Sequence, residues 1–129
     1  MDEELLENVR KVLRSFSDEA EEGAVVLVEG RHDAEALRVL GYMGDILTLS
    51  QLDDWTLANP PPRKIILLMD FDREGVATVR RLEKRLTALG YMVDKTGHRR
   101  LMALKRVGIS TVEAMKNLAG FQERGEKRV

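Results

Sequence analysis

Three carboxylates follow apolar segments of the sequence in positions where they could bind a cation. Glu29 comes directly after the apolar residues 24–28, and Asp70 and Asp72 follow a second apolar run at residues 65–69. Carboxylates that share a small space repel one another and raise their own pKa values unless a cation neutralises them. Oxygen ligands without histidine or cysteine among them favour Mg²⁺ or Mn²⁺. Mg²⁺ uses few protein carboxylates and keeps water positions that phosphate oxygens can take.

A purely structural role for these residues is the alternative. Acids at strand ends often cap the next helix, and Asp72 could do only that. The chain has neither a P-loop nor a dinucleotide-binding glycine motif, although Gly30 and Gly75 would each let the backbone approach a ligand closely. The histidines, His32 and His98, are too few for a histidine-based zinc site. We expect both at the surface, with His98 in contact with solvent or phosphate.

The elements that must position these acids alternate between strands and helices. Residues 24–28 and 65–69 are short, continuous apolar runs, typical of strands that are buried on both faces of a parallel sheet. Weaker strand patterns at residues 45–49 and 91–93 and helical periodicity between the strands predict an α/β fold with three layers. We expect about four mainly parallel strands between helices, with ligands bound at the carboxyl ends of the strands.

The length of 129 residues suits a single compact domain, within which three parts can be distinguished. Residues 1–22 predict an N-terminal helix and a linker, with a polar break at residues 17–23. Residues 23–94 form the predicted core, in which Asp33 is expected to be the N-cap of the helix after the first strand. Residues 95–129 predict a basic C-terminal helical segment.

Charge is distributed unevenly along the chain. The net charge of the whole sequence is −1, but residues 1–35 carry −7 and residues 95–129 carry +6. A basic segment of this kind favours RNA or DNA as a partner, because phosphates attract lysine and arginine. A solvated basic surface without a partner is the alternative. The candidate nucleic-acid-binding residues are Lys95, Arg99, Arg100, Lys105 and Arg106.

The composition also indicates a cellular compartment. The chain has no cysteine, so it carries no disulfide and no thiol chemistry. Its apolar runs are too short to span a bilayer, and the acidic N-terminus lacks a signal-peptide pattern. We therefore expect a cytoplasmic protein without a membrane partner. A homo-oligomer or a partner protein stays compatible with the sequence.

Two motifs together resemble a known family. Residues 28–33, Val-Glu-Gly-Arg-His-Asp, precede residues 70–75, Asp-Phe-Asp-Arg-Glu-Gly, by about forty positions. In this order, and at the ends of strands, they resemble the Toprim domain over residues 23–94. That domain is shared by topoisomerases, bacterial-type primases, recombination-mediator and OLD-family proteins, and the ribonuclease that matures 5S rRNA. The resemblance implies a four-stranded, mainly parallel sheet and Mg²⁺-dependent phosphoryl transfer on nucleic acid.

The resemblance also implies roles for individual residues. Glu29 matches the invariant acid of the family, a proposed general acid/base. Asp70 and Asp72 match its metal-binding pair. Arg73 lies in the stretch that resembles topoisomerases, where it would offset transition-state charge.

Two departures narrow the range of enzymes that the motifs could represent. Topoisomerases carry a further glutamate where this chain has Val76, which argues against their chemistry. Haloacid-dehalogenase-type phosphatases also place Asp-x-Asp after a strand, but they usually follow it with threonine or valine where this chain has Glu74.

Two functions follow from the resemblance. A topoisomerase needs a tyrosine nucleophile on a gating domain, and a primase needs a larger catalytic fold. The chain is therefore most similar to small stand-alone Toprim proteins and to the Toprim half of the 5S rRNA maturase. The first hypothesis is a Mg²⁺-dependent enzyme with nuclease-like activity on RNA or DNA. The second is a non-catalytic module that binds nucleic acid or protein, as in recombination mediators.

Overall fold

The structure, a computed structural model, describes residues 2–119 and shows strands and helices in alternation. The helices are α1 (Asp2–Glu21), α2 (Arg31–Val39), α3 (Leu52–Ala58), α4 (Arg73–Ala88) and α5 (Thr96–Leu101). The strands are β1 (Val25–Val28), β2 (Ile46–Thr48), β3 (Lys64–Leu67) and β4 (Met92–Asp94). Short 3₁₀ segments lie at Leu49–Gln51, Met102–Val107 and Glu113–Met115. No helix within the described residues is long and apolar enough to cross a membrane.

The four strands form one parallel sheet in the order β2-β1-β3-β4, which confirms the predicted α/β fold. Leu27 in β1 pairs with Leu47 on one side and with Leu67 on the other. The chain leaves β1 toward β2 and leaves β3 toward β4, in opposite directions across the sheet. The crevice between the carboxyl ends of β1 and β3 is therefore the switch point, the usual ligand site in such sheets.

Both faces of the sheet are covered by helices, because its central strands are apolar at nearly every position. Val26 and Ile66 belong to a cluster with α1, α2 and the C-terminal segment, whereas Leu27 and Leu67 belong to a cluster with α3 and α4. All four side chains are fully buried. Burial on both faces explains why these strands are continuous apolar runs rather than alternating patterns.

The polar break predicted at residues 17–23 was wrong. The chain stays helical up to Glu21, and α1 ends shortly before Gly23, which has a φ of +100°. Phe16 is buried there, and the Ser17 hydroxyl donates to the Leu13 carbonyl oxygen at 3.1 Å. The polar residues therefore occupy the outer side of a packed helix rather than a linker.

The predicted basic C-terminal segment is helical in shorter pieces than expected. Helix α5 ends at Leu101, and a 3₁₀ segment follows up to Val107. Leu101 and Leu104 are buried in the cluster that α1 also joins, so this segment is part of the core. The last part of the predicted segment, residues 120–129, lies outside the described residues.

Gly75 lies against the turn that joins β3 to α4. A Cβ atom at this position would overlap the backbone carbonyl oxygen of Asp70, which cannot move as a flexible side chain could. The sequence suggested that this glycine lets a ligand approach, but its immediate neighbour is the Asp70 main chain. The absence of a side chain at residue 75 therefore sets how closely α4 approaches the end of β3.

Replacing Gly75 with alanine is expected to destabilise the fold. The added methyl group meets backbone atoms that cannot yield, so we expect a loss of about 1–3 kcal/mol, typical of overpacking. Gly30→Ala is the control without steric overlap, because a Cβ atom at Gly30 meets nothing within 4 Å; its loss is limited to the preference for glycine over alanine at the start of a helix. Urea unfolding of both variants measures the difference. Equal stability of Gly75→Ala and the unmodified chain would contradict the close packing of residue 75 on Asp70.

Candidate metal and nucleic-acid site

Glu29 and Asp70 lie at the same edge of the sheet, beyond the carboxyl ends of β1 and β3. These strands are direct neighbours in parallel register, so the residues that follow them leave the sheet side by side. Asp72 follows as the N-cap of α4. The three acids singled out in the sequence are thus brought to the switch point of the fold.

Glu29 has an exposed side chain that faces several other negative charges. Partial desolvation is the largest cause that raises the pKa of Glu29 above its ordinary value, followed by repulsion from Asp70, Asp33, Asp72 and Glu74. Glu29 makes neither a salt bridge nor a side-chain hydrogen bond within residues 2–119. Its carboxylate is free to bind a cation or to exchange a proton.

Asp33 does not have the position that the sequence predicts for it. The N-cap of α2 is Gly30, and the Asp33 carboxylate, in the first turn of the helix, accepts a hydrogen bond of 3.0 Å from the Gly30 N–H. Burial is the largest cause that raises the pKa of Asp33, and the charge of Asp70 adds to it. The N-cap expectation was wrong because the helix already begins at Arg31. Asp33 therefore lies in the first turn, and its carboxylate turns back toward the sheet edge.

Four neighbouring carboxylates repel Glu29, and the five together are named the acidic edge. None of them forms a salt bridge with a lysine, arginine or histidine in the part of the chain that the structure describes. Carboxylates elsewhere on the molecule commonly do, as in the pairs Glu7–Arg14 and Glu83–Lys95. The acidic edge consists of Glu29, Asp33, Asp70, Asp72 and Glu74.

Asp70 is fixed from the C-terminal segment on two sides. Its carboxylate Oδ1 accepts a hydrogen bond of 2.9 Å from the Val112 N–H, and its carbonyl oxygen lies 3.1 Å from His98 Nε2. The neighbouring Phe71 N–H donates to the Ser110 carbonyl oxygen at 2.8 Å. These bonds leave Oδ2 of Asp70 uncommitted while they hold the main chain of the turn.

His98 was expected at the surface, and that expectation was wrong. Only 5% of the residue is exposed, and its ring packs against Phe71 with the ring centroids 5.6 Å apart. A lone histidine in a basic stretch carries no sequence signal for this contact. The one local hint is Gly97, where a Cβ atom would overlap the Phe16 ring and keep α5 away from α1.

Asp72 and Arg73 open α4 with different environments. The Asp72 carboxylate Oδ1 accepts a hydrogen bond of 2.8 Å from the Gly75 N–H, so the capping role considered from the sequence is present. The second oxygen, Oδ2, stays available for another partner. Arg73 is exposed beside the acidic edge and forms no salt bridge within the described residues.

The predicted nucleic-acid-binding residues differ in how they are paired. Lys95 is half-buried, and its ammonium group lies 3.0 Å from the Glu83 carboxylate. The other four lie on α5 and on the 3₁₀ segment that follows it, rather than on one continuous helix. They are exposed and form no salt bridge within residues 2–119: Arg99, Arg100, Lys105 and Arg106.

The acidic edge suits Mg²⁺ or Mn²⁺ by its chemistry, but it is not a closed metal cage. Among the described residues, no three aspartate, glutamate or histidine side chains form a group that could hold a metal ion. Mg²⁺ commonly binds through one or two carboxylates and retains several waters. The binding of Mg²⁺ or Mn²⁺ by Glu29, Asp70 and Asp72 therefore stays a prediction.

The stability of the metal-free chain is expected to respond to Glu29 in a pH-dependent way. Because folding raises the pKa of Glu29, the protonated side chain favours the folded state. This contribution to the free energy of unfolding is fully present below the ordinary pKa of 4.5, and it is lost as the pH rises through the pKa of the folded state. Glu29→Gln should therefore raise the melting temperature in chelator at about pH 7 and have little effect at about pH 4. Thermal melting across this range tests it, and a loss of stability at neutral pH would contradict it.

Two substitutions at Asp72 distinguish its role as the N-cap of α4 from the effect of its negative charge. Asparagine is as good an N-cap as aspartate, so Asp72→Asn should keep or slightly raise the stability of the metal-free chain by removing repulsion. Asp72→Ala also loses the bond to the Gly75 N–H and should cost about 0.5–2 kcal/mol. Urea unfolding in chelator compares the two, and an equal loss in both variants would show that the charge, not the cap, stabilises α4.

Known proteins resemble this chain in sequence and in structure. No protein-family model matches the sequence. A UPF0292 protein of Archaeoglobus fulgidus is 29% identical over 114 residues, which cover 88% of this chain and 89% of that protein. A solved structure of a protein from Aquifex aeolicus superposes with a TM-score of 0.60 at 26% identity, over 87% of this chain and 95% of the other.

A second relative defines the family. The UPF0292 protein of Thermococcus sibiricus is 31% identical over 114 residues, which cover 87% of this chain and 90% of that protein. The match thus includes the sheet, the acidic edge and most of the helices rather than one motif. On this similarity, the chain belongs to the UPF0292 family.

Proposed function

We propose that the chain is a Toprim-type protein that carries out Mg²⁺-dependent phosphoryl transfer on nucleic acid, with nuclease-like processing of RNA or DNA as its reaction. The observation that carries the proposal is the acidic edge, whose carboxylates collect at the switch point of the sheet and form no salt bridge among the described residues. Like charges held together in this way cost stability, and a bound divalent cation offsets that cost. We place this chemistry in the cytoplasm, because a chain without cysteine needs no oxidising compartment.

Three members of the acidic edge have distinct roles in this proposal. Asp70 and Asp72 hold the cation through the oxygens that Val112 and Gly75 do not use. When bound, Mg²⁺ or Mn²⁺ would polarise a phosphoryl oxygen as a Lewis acid and would activate a water molecule as the nucleophile. Glu29, whose carboxylate has no hydrogen-bond partner among the described residues, is free to take or give a proton at the reacting oxygen.

Exposed positive charges support nucleic acid as the substrate. Arg73 is exposed next to the acids and is available to offset the charge of a phosphate in the transition state. Lys95 contributes less, because Glu83 neutralises it. Contacts from such cations position a phosphate backbone and carry little sequence preference. The exposed cations of the C-terminal segment are Arg99, Arg100, Lys105 and Arg106.

A second candidate function has one observation in its favour. The described residues contain no three-ligand metal group, so the acidic edge is not preassembled as a catalytic metal centre. A non-catalytic module that binds nucleic acid or protein, of the recombination-mediator kind, needs no such centre. Cleavage and binding must therefore be measured separately.

Cleavage assays with end-labelled single-stranded and structured RNA and DNA test the proposal. We expect the purified chain to cleave in Mg²⁺ or Mn²⁺ and not in chelator. Glu29→Gln should lower the rate by about 10²–10⁴-fold, the usual contribution of a general acid or base. Asp70→Asn should also lower it, since it removes a charge from the cation site while its amide oxygen can still accept from the Val112 N–H.

Glu22→Gln is the matched control, because Glu22 is an exposed glutamate just before β1, at the opposite end of the sheet. Its cleavage rate should equal that of the unmodified chain. Binding without any cleavage would favour the second candidate function. Cleavage that survives in both Glu29→Gln and Asp70→Asn would overturn the assignment of the acidic edge.

A further inference from the structure

A cavity of about 190 Å³ lies between α4 and α5. It is smaller than the roughly 300–1,000 Å³ of sites that enclose a whole small-molecule ligand. A cavity of this size suits one part of a longer molecule, such as a single base or sugar of a strand. Its lining residues are Val76, Val79, Arg80, Lys95, His98, Arg99 and Met102.

The cavity carries positive charge that the described residues do not neutralise. Arg80 on α4 and Arg99 on α5 are exposed, and neither side chain forms a salt bridge or a hydrogen bond within residues 2–119. Lys95 differs, because Glu83 already balances its charge. Two unpaired guanidinium groups on facing elements favour an anion, and their fork of N–H donors matches phosphate oxygens.

The wall of the cavity is connected to the acidic edge through His98. This buried residue lines the cavity, and its Nε2 donates to the Asp70 carbonyl oxygen at 3.1 Å, since a carbonyl oxygen can only accept. A group bound in the cavity is therefore separated from the turn that carries Asp70 by a single side chain. The cavity is close enough to hold a neighbour of whatever reacts at the acidic edge.

Helix α4 carries a cation near the acidic edge and another at the cavity. Arg73 and Arg80 are seven residues apart, so they lie on the same side of the helix and about 10 Å apart along its axis. Arg73 stands at the acidic edge and Arg80 at the cavity. The two cations can contact phosphates of one strand that runs from the edge along α4.

We propose that this cavity binds one nucleotide of a single-stranded segment, next to the phosphodiester at the acidic edge. The base or sugar lies on the apolar side chains of Val76 and Met102, and Arg80 and Arg99 bind the adjoining phosphates. A base inside a duplex cannot enter without leaving its stack, so the site favours single strands. This inference rests on the proposed function, which supplies nucleic acid as the partner.

Fluorescence anisotropy in chelator tests the cavity apart from any metal chemistry. The probes are short labelled single strands of RNA and DNA of mixed sequence and the corresponding duplexes. We expect the double variant R80A/R99A to bind the single strands at least about 10-fold more weakly. The slope of log affinity against log salt should become shallower by about 0.7 for each phosphate that the variant no longer binds.

Arg81→Ala is the matched control, because Arg81 follows Arg80 on α4, lies within hydrogen-bond reach of Thr78 and does not line the cavity. It should bind as the unmodified chain does. If R80A/R99A melts at a lower temperature, the variant R80Q/R99Q, which keeps more of the side chains, replaces it. Unchanged binding in the double variant, equal binding of duplex and single strand, or no binding by the unmodified chain at low salt would each overturn the inference.

The inference and the proposed function fail separately in these experiments. Cleavage that depends on Glu29, together with unchanged binding in R80A/R99A, would exclude the cavity as a nucleotide site. The proposed role of the acidic edge would then stand. Binding that depends on Arg80 and Arg99, without cleavage by the unmodified chain, would keep the cavity as a nucleic-acid site and remove the catalytic role.

Discussion

The parallel pairing of β1 with β3 is the interaction on which the rest of the structure depends. These strands use their backbone groups in the sheet and their side chains in two apolar clusters, one on each face. A charged side chain is therefore excluded from the buried length of either strand and can stand only at an end. Glu29 and Asp70 follow at the same end, so the pairing of the strands also brings their charges together.

The turn after β3 shows how this edge is held in place. The main chain at Asp70 is packed by Gly75 from α4 and by His98 from α5, and its carboxylate is bound by the Val112 N–H. These contacts constrain the backbone while the acids themselves keep oxygens that have no partner among the described residues. A backbone held in place beside uncommitted side-chain oxygens supports the cation site proposed above.

The features that could be predicted from the sequence are those that depend on local pattern. Continuous apolar runs identified the central strands, and the spacing from Val76 to Leu89 identified most of α4, because burial on one or two faces leaves a periodic signature. The burial of His98 and the turning of Asp33 toward the sheet were not predictable in this way. The position of His98 depends on Phe71 and Asp70, which are distant in the chain, and that of Asp33 depends on where α2 begins.

The bonds to Asp70 also impose an order on the assembly of the molecule. All four strands have been synthesised once the chain reaches Asp94, but the groups that fix the Asp70 turn belong to His98, Ser110 and Val112. A nascent chain can therefore pair its strands and bury most of its sheet before the acids reach their final arrangement. The acidic edge therefore reaches its final arrangement only after residues 98–112 have been synthesised and have packed against the Asp70 turn.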